Sequence, residues 1–193
     1  MKTLFLALGQ FSHSSDILRG KCLAALLAQF RVVVLTTYLD AKTAKESHLP
    51  SHPNLIYVML PIRYPRLWGI MNKYIRHAFV REYDAWTITR HWYYRTTHPL
   101  LIRALTALGT MLPRRFPSAK TFSRIERWCA RPSAGFRKLV HEYKPALLVT
   151  ATPGYTPLEA EMILFARTLR IPSVAININY DNAYSQAKFI RHT

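Results

Sequence analysis

The chain has 193 residues, half of them hydrophobic, enough for a substantial core and too apolar for a disordered chain. Its 27 Lys and Arg against 10 Asp and Glu give a net charge of +17, a field that attracts polyanions such as nucleic acid, an anionic membrane surface or phosphorylated small molecules. Cys22 and Cys129 are the only cysteines, which excludes a disulfide scaffold or a cysteine-built zinc site.

The opening "MKTLFLALGQ" has a short apolar run followed by Gly9-Gln10 without a small-residue cleavage pattern, so it reads as a first buried strand over 3–8 instead of a signal peptide. After the loop "GQFSHSS", apolar residues at helical spacing (Leu23, Leu26, Leu27, Phe30) predict a helix from Asp16 to Phe30 with Ser15 as N-cap. "RVVVLTT" (31–37) and "NLIYVMLP" (54–61) predict the second and third strands. Strands that are apolar throughout and alternate with helices imply a parallel sheet covered on both faces: an α/β, Rossmann-like fold.

Residues 63–145 differ in character. They hold 17 Lys and Arg against 4 Asp and Glu, and they are dense in Trp and Tyr. Helical patterns broken at Pro99, at 112–117 and at 131–135 predict a helical insertion between the third and fourth strands. The strand–helix–strand pattern then returns. "ALLVTAT" (146–152) is a strand, Thr156-Pro157-x-Glu159 is a capping box opening a helix, and "SVAINI" (173–178) is the next strand. The longest apolar stretch, 99–113, is interrupted by Arg103 and falls short of the roughly 18–20 residues of a spanning helix, so a cytoplasmic protein is expected.

Three strand ends carry residues suited to chemistry, since ligands of parallel α/β sheets bind beyond the carboxyl ends of the strands. In the first loop, Gly9 permits a tight turn, Ser12 and Ser14 offer hydroxyls, and His13 has the half-ionised imidazole of a general base, with Asp16 close enough to orient it. The same residues also suit ordinary loop and helix-end hydrogen bonds. The glycine spacing of a dinucleotide fingerprint is absent. In the second, Thr152, Gly154 and Tyr155 precede a helix N-terminus that favours negative charge, although Pro-Gly is equally a common turn signal. In the third, Asp181 and Asn182 follow the last strand, where such residues also form turns.

The insertion offers a different chemistry. Trp68, Trp86, Trp92 and Tyr93 stand among Arg76, Arg90 and Arg95, a mixture that suits a membrane–water interface with anionic headgroups. Aromatics and arginines also serve nucleic-acid surfaces, but no RNA-binding signature is present and the arginines are dispersed, so nucleic acid is the weaker expectation.

The Gly9-x-x-x-His13 loop, the α/β units around it, the insertion, and then "KPALLVTATPG" followed by "LEAEMILFARTLRIPSVAININYDNAYSQAK" resemble the N-terminal domain of GT-B-fold glycosyltransferases of bacterial cell-surface glycan synthesis. Tyr180-Asp181-Asn182 stands where those proteins have Trp-Asp-Asn, and Ser185 to Lys188 near their Ser-Lys-Gly. The resemblance is carried by 145–190 and, less strongly, by 1–60; the insertion carries none. It implies the acceptor-side half of an enzyme at the cytoplasmic membrane face, with His13 as base and the Gly154 loop, Asp181 and Asn182 lining the cleft. The implied partners are an anionic membrane or lipid-linked acceptor and a separate or missing donor-binding domain. No cofactor is expected on this chain itself; a nucleotide-sugar donor would be held by that second domain. A non-catalytic membrane-recruiting subunit and a nucleic-acid-binding α/β protein are the competing expectations.

Overall fold

The computed structural model describes residues 1–10, 16–60, 124, 132–152 and 156–176. The chain divides into two compact units, one of Met1–Arg63, Ala130–Ile178 and Ile190–Thr193, the other of Tyr64–Cys129 and Asn179–Phe189. The architecture below is that of the first unit.

Five strands form one sheet: β1 (Lys2–Ala7), β2 (Phe30–Thr36), β3 (Leu55–Met59), β4 (Pro145–Thr150) and β5 (Ser173–Ala175). All pairings are parallel, and the order is β3-β2-β1-β4-β5. The α/β, Rossmann-like fold expected from the sequence is therefore present. β1 lies at the centre because both of its faces are apolar: Leu4, Phe5, Leu6, Ala7 and the following Leu8 are fully buried.

The two faces of β1 belong to two cores. Leu4, Leu6 and Leu8 join Val32, Val34, Ile17, Leu18, Leu23 and Ala44 in one apolar cluster, beneath α1 (Lys21–Leu27) and α2 (Ala41–Glu46). On the opposite face, Phe5 meets Phe136 of α3 (Ala134–Tyr143) edge-on, with ring centroids 6.0 Å apart. Phe136 in turn packs on Phe165 of α4 (Pro157–Thr168) at 5.4 Å. This alternation along one strand is the two-residue side-chain period of extended chain.

Local signals set the helix ends. Asp40 caps α2 by accepting from the Thr43 N–H at 2.7 Å, and that hydrogen bond holds the Asp40 carboxyl below its ordinary range. Ser133 caps α3 through the Phe136 N–H at 3.1 Å, and Thr156 caps α4 through the Glu159 N–H at 3.3 Å. Pro157 opens α4, as the sequence predicts.

Two expected boundaries need correction. The helix expected over Asp16 to Phe30 is interrupted: 16–18 are helical, Gly20 is extended at φ −89° and ψ 169°, and α1 begins only at Lys21. Phe30 belongs to β2. The expected insertion also reaches too far, because α3 lies within 63–145 and yet belongs to the unit that carries the sheet. The remaining strands fall within a few residues of their expected bounds; the fifth is described as far as Ala175.

Candidate functional site

In the strand order, connections leaving β1 and β4 diverge to opposite sides of the sheet, so the gap between their carboxyl ends is the topological switch point. Open α/β sheets bind their ligands in the crevice at this place. The ends of β1 and β4, from which two of the three loops singled out in the sequence leave, flank this gap; β5, after which the third follows in the chain, is the neighbour of β4.

A buried polar cluster holds the β4 side together. The Thr150 hydroxyl donates to the Thr152 carbonyl at 2.6 Å. The Thr152 hydroxyl donates to the carboxyl of Glu159, and the Thr156 hydroxyl donates to the same oxygen at 2.8 Å. Thr150, Thr152 and Glu159 are fully buried and Thr156 nearly so. Burying a carboxyl is costly unless hydrogen bonds replace its lost water, and here two hydroxyls do so at one of its oxygens, Oε2. Glu159 therefore ties the end of β4 to the first turn of α4.

The first loop is locked to the same cluster. A β-carbon added to Gly9 would overlap the Thr156 side chain. Gly9 is thus required by the close approach of the α4 cap, where the sequence suggested only a tight turn. The β1 end is further fixed by Leu8 N–H donating to the Leu35 carbonyl at 3.0 Å and Ala151 N–H to the Ala7 carbonyl at 3.3 Å.

Of the candidate residues, Gly9 and Thr152 lie at the switch point, Thr152 with its hydroxyl turned into the buried cluster. Asp16 is exposed at the start of the helical residues 16–18. Ser12, His13, Ser14, Gly154, Tyr155, Asp181 and Asn182 lie outside the described residues, as do Trp68, Arg76, Trp86, Arg90, Trp92, Tyr93 and Arg95.

The structure adds Thr150, Thr156 and Glu159 to the site. The sequence marked Thr156 and Glu159 as a capping box, and the cap from Thr156 is present. The Glu159 carboxyl, however, accepts from two threonine hydroxyls, one of them seven residues away at the strand end. The positive pole of α4 consequently faces a carboxyl of its own chain, which leaves less room there for an external anion than the sequence suggested. No grouping of His, Cys, Asp and Glu suited to a metal ion occurs among the described residues. Among the same residues, no helix is long and apolar enough to cross a membrane.

No protein-family model, curated protein or solved structure matches the chain.

Proposed function

We propose that the chain is the acceptor-side half of a GT-B-type glycosyltransferase that works against a membrane-borne acceptor. The observation that carries this reading is the adjacency of the β1 and β4 carboxyl ends at the switch point, with Gly9 seated against the Thr156 cap. The loops that leave these two ends are those on which the sequence resemblance places cleft residues. In this reading His13 removes the proton from the acceptor hydroxyl, because an alcohol is a poor nucleophile until a base takes its proton. The brace of Thr152, Thr156 and Glu159 holds the end of β4 to the first turn of α4, against which Gly9 sits. The nucleotide-sugar donor is held by a second domain, and the sequence resemblance assigns Asp181 and Asn182 to the cleft.

Hydrogen exchange of the purified chain with a water-soluble lipid-linked saccharide tests the proposal. Added protection is expected at the ends of β1 and β4, with no comparable protection from a nucleotide sugar alone. Protection confined to other segments, or repeated glycosyl transfer by this chain without a second domain, overturns it.

A further inference from the structure

The opposite end of the sheet carries a feature that the proposed cleft does not use. At the amino ends of the strands, Thr3 of β1 pairs with Arg31 of β2 and Pro145 of β4, which brings Lys2, Arg31 and Lys144, the residue before β4, to the same end of the sheet. Arg170 stands in the connection that enters β5 at the same end. All four cations are exposed. Glu142, at the end of α3, is the acid beside them, and the ring of the neighbouring Tyr143 carries the Arg31 guanidinium 5.4 Å from its centroid.

Two of these cations sit where the backbone disfavours any side chain. Lys144 has φ 46° and Arg170 φ 58°, the left-handed region in which glycine or asparagine normally ends a helix. A β-carbon there is unfavourable, and such strain concentrates at functional positions. The connections into β4 and β5 thus keep a cation at a position that suits glycine better, and the connection into β3 has His48 in the same conformation at φ 51°.

We propose that this amino-terminal edge of the sheet is a docking surface for an anionic phospholipid bilayer. Successive strands lie about 4.8 Å apart, so the amino ends of the four strands from β2 to β5 span about 14 Å, and the cations at that end fall within one patch of headgroups. Beside Arg170, Pro172 is exposed, which adds an apolar component to the contact. A nucleic acid would instead call for open aromatic faces, and one face of Tyr143 is already covered by Arg31. The surface lies at the other end of the strands from the switch point and does not rest on the transferase reading; docked by it, the chain holds the switch point roughly 20 Å off the bilayer, a distance that a membrane-borne acceptor would span with its extended saccharide.

The test is flotation of the full chain with vesicles of equal phosphatidylglycerol and phosphatidylcholine, compared with phosphatidylcholine alone. The variant Lys2→Gln/Lys144→Gly/Arg170→Gly removes three cations and relieves two left-handed β-carbons, so its thermal stability is expected to hold or rise. Each cation at an anionic surface is worth roughly fivefold in partitioning, so the variant should lose about a hundredfold on the anionic vesicles. A control, Lys21→Gln/Lys42→Gln/Lys45→Gln, removes equal charge from exposed positions on α1 and α2 and should lose far less. Equal losses in both variants, no loss in the first, or tighter binding of wild type to duplex DNA than to the anionic vesicles overturns the proposal.

Discussion

The side chain of Thr156 occupies the space that a β-carbon on Gly9 would need. Gly9 lies two residues beyond the central strand and Thr156 caps α4, so this single close approach joins the two strand ends that flank the switch point. Gly9→Ala must push the α4 cap away or bend the β1 exit. Overpacking of this kind costs about 1–3 kcal/mol, and urea midpoints of wild type and variant measure it. An unchanged midpoint would mean that the two loops are not held together.

Glu159 is the second tie at the same place. Replacing it with alanine takes the carboxyl acceptor from the hydroxyls of Thr152 and Thr156, both buried. The expected cost is about 1–3 kcal/mol for each hydroxyl that loses this acceptor. Glu159→Gln keeps an amide oxygen in place and should lose distinctly less. Equal losses in the two variants would show that chain packing, and not hydroxyl acceptance, makes Glu159 important.

Much of the fold was legible because parallel strands buried on both faces read as unbroken apolar runs, as in Leu4 to Leu8 and Val32 to Leu35. The break before α1 was hidden for a related reason. Ile17, Leu18 and Leu23 all enter one core, so apolar periodicity continues across the interruption, and only Gly20 marks it in the sequence. The role of α3 was masked by averaging: the charge of 63–145 describes the whole span, whereas Phe136 inside it is buried against the sheet. At the site, Gly9 and Thr152 were found from their places after strands. The brace by Glu159 was not, because a capping box is a local pattern and the bond to Thr152 joins a helix to a strand end.

Phe136 links the sheet to both covering helices of its face, lying between Phe5 and Phe165. It is nearly fully buried, so truncation leaves a cavity that the rigid strand beneath cannot fill. Phe136→Ala should cost about 3–5 kcal/mol by urea denaturation, and Phe136→Leu much less. A loss below about 1 kcal/mol for the alanine variant would place α3 outside the cooperative core.

Stability should also depend on pH through Glu161 of α4. Burial pushes its carboxyl up to about 7 from an ordinary 4.5. The folded state therefore holds this proton more tightly than the unfolded chain. The resulting stabilisation is complete below the unfolded value of 4.5 and is lost as the pH rises through about 7. Because the side chain is only half-buried, solvent screening reduces the loss to about 1–2 kcal/mol, less than the full shift implies. Asp40 has the opposite sign, its stabilisation being lost only as the pH falls through values below 3.8, so it does not overlap this window. Glu161→Gln carries no titrating proton. Its urea midpoint should change less than that of wild type between about pH 5 and pH 8, and should exceed it at the upper value. A variant that keeps the full wild-type slope would assign the pH dependence to another group.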